Sequence, residues 1–492
     1  MLVGGIIIST LPESTPVLQI SLIRSLRATE AGRMVGLTVV LVGLALYAAS
    51  WLRLCRHAAR AEGPECADAV ALVRRTAVVW SFPLVLAPPL FSRDGWSYAA
   101  QGMLAHVGIS PYEHGPGVLT GPIVQGVDPR WLDTPAPYGP VPLLFGQAAA
   151  GLTSDPWTLV VAHRIFALVG LALLAWSVPR LAAWSGTNPA LASAVVLCSP
   201  LTLAHGVGGL HNDVLMVGLM TSALVLAAER GWVWGAVLGG LAAAVKLPGG
   251  LVCIGVALVV LPAGAGLAVR FQLLSKVGAV ACAVLVLPGM AAGLGIGWVH
   301  ALGVPGTVKV PLSLPTVVGG LLDVVAGWLG IGSQPDVFLA VVRSAAQVLA
   351  LAVAVRVALR WPLTGLRMHA VSAVAVVMSA LILLSPVVHL WYFLWALPFL
   401  ATIRLPQLGT VGLLAAVVVS GLVAPLDSSL HGAYLAIVVG SLLTTGLVLV
   451  LLVTRTARQR IEAIAGAAWL PVASSPRPNP ARTARSAHPG PQ

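Results

Sequence analysis

Apolar runs of about 15–20 residues recur along almost the whole chain, and in a bilayer such runs can only be helices. No water is available inside the hydrocarbon to satisfy backbone amides, so each segment must close its own hydrogen bonds. The alternating apolar and polar pattern of a membrane barrel is absent. With 58% of residues hydrophobic and 9% charged, the chain reads as an all-α polytopic membrane protein. The net charge of +12 does not indicate nucleic acid, because the arginines cluster in short connections between apolar runs, as the positive-inside rule expects. Five scattered cysteines without a CxxC pair give no metal site, redox pair or disulfide framework.

The expected spans are 34–52, 76–91, 158–178, 189–204, 213–228, 232–246, 248–262, 272–291, 337–356, 368–386, 389–403, 409–424 and 434–453. Arginine-bearing connections lie at 53–75, 179–188, 229–231, 263–276, 356–367 and 404–408. All fall on the cytoplasmic side if 232–262 is a helical hairpin and 312–331 does not cross. The opposite side then receives 92–157, 205–212, 292–336, the turn at Pro386 and 425–433. It also collects Asp94, Glu113, Asp128, Asp133, Asp155, Asp213, Asp323, Asp336 and Asp427, so polar chemistry is expected at the external face. Residues 1–9 are apolar but too short to cross. Residues 17–33, with Arg24, Arg27 and Arg33, read as an amphipathic surface helix whose charge argues against the external side. The chain thus divides into an N-terminal partial span with this amphipathic segment at 1–33, a membrane domain at 34–454, and a disordered cytoplasmic tail at 455–492.

Three external constellations carry candidate chemistry. Asp94 follows a span directly and opens the longest polar stretch, and an acid held at the bilayer surface is a functional candidate. It also fits the N-cap of a helix over 95–107. Burial near Trp96 and Tyr98 should raise its basicity, with Arg93 pulling the other way. The segment continues through Glu113 and the Tyr138-Gly139-Pro140 element, stiff with proline, glycine and aromatics. Second comes His205-Gly206-Val207-Gly208-Gly209-Leu210-His211-Asn212-Asp213. Its polar groups suit a phosphate, a sugar or a metal, or Asn212 and Asp213 simply cap the next helix. The spacing of His205 and His211 matches no standard zinc pattern. Third is Ser385-Pro386-Val387-Val388-His389-Leu390-Trp391-Tyr392, where the aromatics also fit an interfacial belt. Lys246 interrupts an apolar stretch and either snorkels or pairs with a lipid phosphate.

Taken in order, these motifs resemble the GT-C glycosyltransferases, and within them the actinobacterial polyprenol-phosphate-mannose-dependent α-1,6-mannosyltransferases of lipomannan and lipoarabinomannan synthesis. The motifs are the Asp after a span, Tyr-Gly-Pro, the Gly-rich His-Asn-Asp turn, Ala-Ala-Val-Lys-x-Pro and Ser-Pro-x-x-His-x-Trp-Tyr. The resemblance covers roughly residues 20–455, with residues 1–9 looking like the shortened end of a first span that such enzymes carry. It implies a GT-C-like bundle of about 12–13 transmembrane helices in the plasma membrane, with the active site on the external face. It also implies a polyprenyl-phosphate mannose donor, a lipid-anchored mannan acceptor, and inverting transfer. Asp94 is then the catalytic base. Lys246, His211, Asn212, Asp213 and His389 hold the donor phosphate or sugar, and Glu113, Tyr138 and Tyr392 are acceptor or loop candidates. No metal, cofactor or nucleic acid is expected. A lipid or glycan transporter or flippase is the rival, but no inverted repeat is visible.

Overall fold

A computed structural model describes residues 1–301, 303, 308–331, 335–426 and 434–467. Asp427 and the tail from 468 onward lie outside the described residues. Helices make up 76% of the structure, and no strand occurs among the described residues.

The main helices are α1 (Leu2–Ile8), α2 (Ser21–Ala28), α3 (Glu30–Ala59), α4 (Glu65–Val85), α5 (Asp94–His106), α6 (Pro140–Ala150), α7 (Pro156–Ser185), α8 (Pro189–Leu197), α9 (Asp213–Arg230), α10 (Trp232–Val245), α11 (Val252–Val260), α12 (Leu267–Ala291), α13 (Leu314–Trp328), α14 (Val337–Arg360), α15 (Met368–Leu384), α16 (Gln407–Leu422), α17 (Tyr434–Val453) and α18 (Arg455–Ala467). Four of them, α3, α7, α12 and α14, are long and apolar enough to cross a membrane alone. The other expected spans are shorter or broken. The run 189–204 divides at Pro200 into α8 and a π-helix, Leu201–Gly208, bent by 44°. The run 389–403 begins as a 3-10 helix, Leu390–Trp395. The two expected spans around Lys246 are α10 and α11, joined by a 3-10 turn, Leu247–Leu251. Proline lacks an amide donor and its ring clashes with the carbonyl four residues earlier, so Pro248 ends α10 at Val245.

Hydrogen bonds gather the arginine-bearing connections at one end. Asn188 donates to the Ala58 and Ala61 carbonyls, and Arg404 to Ser185. Arg270 donates to Trp361, and Arg180 pairs with Glu229. The stretch 232–260 is a hairpin with Lys246 at its apex, at the opposite end. Helix α13 lies against the start of α14: Thr316 meets Arg343, and Asp323 accepts from the amides of Phe338 and Leu339. It therefore runs back along only the first two turns of α14.

The N-terminal segment falls at the end opposite the arginine connections. Arg27 on α2 donates to the carbonyls of Ile6, Ile7 and Ser9, satisfying acceptors left free at the end of α1. Thr10 accepts from Arg93, and the Glu13 amide donates to Gln125. The charge of 17–33, which argued against this end, is met by local backbone carbonyls: Arg24 donates to Leu18 and Arg33 to Arg27. The disordered tail at 455–492 is corrected in part. Residues 455–467 form α18, which packs Ile464 and Ala465 inward and carries an Arg458–Glu462 pair at 2.9 Å.

Candidate active site

Three interruptions of helix meet at the end away from the arginine connections: the π-helix and turn at 201–212, the break at Lys246, and the turn at 385–389. π-helical turns are frequent at functional sites, and residues in unusual dihedrals cluster there. Leu210 has φ +59, in the left-handed region, immediately before His211. Gly209 allows the turn, since a Cβ there would lie 2.6 Å from the His205 carbonyl oxygen.

Asp94 is the first helical residue of α5, after Arg93 at the N-cap, and its carboxylate makes no capping bond. The sequence reading left catalysis and capping both open; the side chain instead turns into the cluster. Its Oδ2 lies 3.4 Å from His211 Nδ1 and 3.5 Å from Tyr98 Oη, and the side chain is 15% exposed. Burial raises the carboxyl pKa most, but His211, His389 and Lys246 together outweigh it and hold the group below the ordinary carboxylate value. The expected rise in basicity is therefore corrected, and Arg93 is not the reason: it turns to Thr10 and the Val127 carbonyl.

His211 is buried and stacks on Trp391 at 3.7 Å, and His389 stacks on the same indole at 4.4 Å. Trp391, Tyr392 and Trp395 are all buried, so they form a wall of the site, not an interfacial belt. Asn212 and Asp213 begin α9 without a side-chain cap. Asp213, fully buried, accepts from Lys246 Nζ at 3.0 Å and from Trp395 Nε1. Lys246 does not snorkel. Its ammonium lies 4.5 Å from the Tyr392 ring centre, 5.2 Å from Trp395 and 6.0 Å from Tyr138, a cage of π faces that favours a cation.

The Tyr138-Gly139-Pro140 element sits directly on the break. Pro248 leaves carbonyls near the end of α10 without helical donors, and the Gly139 amide donates to Val245 at 3.4 Å. A Cβ at position 139 would lie 2.2 Å from the Ala244 carbonyl oxygen, so only glycine permits this approach. Tyr138 is thereby held edge-on to Tyr98, with ring centres 5.2 Å apart.

The cluster therefore contains Asp94, His211, Asp213, Lys246, His389, Tyr138 and Tyr392 from the sequence reading, with Asn212 buried between His211 and Asp213 in the chain. Glu113 is exposed on the loop after α5, and no contact among the described residues brings it to them. Sequence reasoning missed Tyr98, Trp391 and Trp395 as site residues, since aromatics at span ends fit a belt equally well. His205 is spent on the Ser420 carbonyl at 2.9 Å, and no group of three metal-ligating side chains gathers among the described residues. Chemically, the site offers an ionised carboxylate, a caged ammonium and imidazoles within an aromatic enclosure.

The family model described as alpha-(1->6)-mannopyranosyltransferase, N-terminal domain, matches residues 1–262, and the MptB C-terminal domain model matches 315–453. A probable alpha-(1->6)-mannopyranosyltransferase of Mycolicibacterium smegmatis is 32% identical over 409 residues, covering 76% of this chain and 72% of that protein. An alpha-(1->6)-mannopyranosyltransferase of Mycobacterium tuberculosis is 30% identical over 455 residues, covering 81% and 76%. Alpha-(1->6)-mannopyranosyltransferase B of Corynebacterium glutamicum is 29% identical over 392 residues, covering 74% and 65%.

Proposed function

The chain belongs to the alpha-(1->6)-mannopyranosyltransferase family, and we propose that it moves mannose from a polyprenyl phosphate to a lipid-anchored mannan at the external face of the plasma membrane, with inversion. The observation that carries this reading is the meeting of Asp94, freed from any capping role, with the caged ammonium of Lys246 at the ends of broken spans. Placing that end outside is supported by the arginines gathered at the other end.

In this reading the acceptor 6-hydroxyl gives its proton to Asp94 while its oxygen bonds to the mannosyl C1. The bond from C1 to the phosphate oxygen breaks, and its electron pair stays on the phosphate. Glycosyl transfer passes through an oxocarbenium-like state, in which the attacking hydroxyl becomes acidic as its bond to C1 forms. A carboxylate of low proton affinity can then serve, provided it stays ionised and aimed. His211, stacked on Trp391, holds it so. Lys246 stabilises the departing phosphate through a charge-assisted hydrogen bond, and Asn212 and His389 flank the donor sugar. No metal or cofactor enters this scheme.

The test is to incubate purified protein with radiolabelled polyprenyl-phosphate mannose and a short α-mannoside in EDTA. An α-1,6-linked product supports the reading. Absence of transfer, or transfer only when divalent metal is restored, contradicts it.

A further inference from the structure

A second group of buried aromatics adjoins Asp94 through Tyr98. Tyr98, Tyr112, Tyr138, Ala136 and Leu143 pack together, with Leu294 and Trp298 closing over them. Tyr98 reaches Asp94, and Tyr138 faces Lys246. Trp298, in the short helix Trp298–Ala301, also packs against the cluster of Ala243 and Ala244 at the end of α10 with Leu285 of α12. The box thus spans the distance between carboxylate and ammonium. Its closing wall is fitted closely, since a Cβ on Gly297 would lie 2.6 Å from Tyr112 Cβ.

Two polar atoms in this box have no partner among the described residues. Tyr112, only 4% exposed, leaves its hydroxyl unbonded, and the buried indole nitrogen of the partly exposed Trp298 is likewise unbonded among the described residues. Buried Tyr O–H and Trp N–H groups normally find an acceptor. A ligand suited to such a box presents apolar C–H faces to the rings and hydroxyls to the two donors, which describes a pyranose ring.

We propose that Tyr112 and Trp298 form the binding subsite for the acceptor sugar, placing its hydroxyl at Asp94. This rests on the proposed transfer reaction. The acceptor is favoured over the donor sugar because both residues come from segments between the spans, where a water-borne glycan end arrives. Lys246 and Asp213, at span ends, face the lipid-borne phosphate.

The test measures transfer to an α-1,6-mannobioside by the full-length protein and by Tyr112→Phe and Trp298→Phe, each of which keeps an aromatic ring and deletes one donor. Loss of one hydrogen bond should raise the acceptor KM about threefold to tenfold and leave the donor KM unchanged. An unchanged acceptor KM in both variants, or a shift confined to the donor KM, overturns the subsite while leaving the proposed reaction intact. If wild-type protein transfers nothing to the mannobioside, both fall. Should Trp298→Phe misfold, Tyr112→Phe alone decides.

Discussion

Removing Lys246 should damage stability and catalysis by separate routes, and the structure shows how to separate them. Asp213 is fully buried and has Lys246 at 3.0 Å and Trp395 Nε1 as its partners. Lys246→Met leaves one indole donor against a desolvated carboxylate. Stripping one partner from a buried pair typically costs about 3–5 kcal/mol, a large part of the stability of most domains. Asp213→Asn in the same chain removes the stranded charge and keeps the side-chain shape, so the double variant should recover most of that loss. Donor use should not recover. If Lys246 holds the phosphate, losing a charge-assisted bond of about 1.5–3 kcal/mol lowers kcat/KM for the lipid donor by about tenfold to 150-fold in both variants. Thermal unfolding in detergent, followed by intrinsic fluorescence, reads the first effect, and donor-saturation kinetics read the second. A Lys246→Met protein as stable as wild type would refute the buried-pair argument. Full donor kcat/KM in the double variant would remove Lys246 from the phosphate.

Gly139→Ala should leave the protein folded but cut activity about 100-fold, because restoring ordinary contact at 3.4 Å from a present 2.2 Å displaces Tyr138 or the Lys246 break by about 1 Å; wild-type turnover would contradict that. Asp94 is held below the ordinary carboxylate value, so it stays ionised on the acid side and its pairing with His211 is lost only as pH falls through the lowered folded value. The acid limb of kcat/KM should therefore lie below the ordinary carboxylate range, and His211→Gln should move it upward; a limb unmoved by that change would dismiss His211 as a cause. Cys55 is fully buried and does not report sidedness, but Glu62 and Glu113 are exposed. In intact cells an impermeant thiol reagent should label Glu113→Cys and spare Glu62→Cys, and the opposite pattern would invert the proposed orientation.

Much of the site was legible because polar residues in an apolar chain are conspicuous. Asp94, His211, Asp213, Lys246 and His389 each interrupt or flank a hydrophobic run, and all meet in the fold. Their local states were not legible. Whether Asp94 caps α5 or leaves it depends on one side-chain rotation, decided by His211, which is remote in sequence. The same contact lowers the carboxyl pKa that burial alone would have raised. Trp391 and Trp395 look like belt residues until Asp213 and two histidines are seen against them. Hydropathy drew continuous spans through Pro200 and near Pro248, because it sums apolarity and does not register a missing amide. Tyr112 and Trp298 could not be paired from sequence, since each is unremarkable in its own loop.

The central claim is that Asp94 removes the acceptor proton, and Asp94→Asn tests it most directly. The carboxylate makes no capping bond, and Asn is nearly the same shape, so the variant should fold, insert and bind the lipid donor as wild type does. Loss of a general base lowers rate by about 10²–10⁴. Mannose transfer measured at saturating donor and acceptor should fall within that range in Asp94→Asn. Retention of more than about a tenth of wild-type turnover, well above what loss of the base permits, would contradict the assignment and move the search to Asp213.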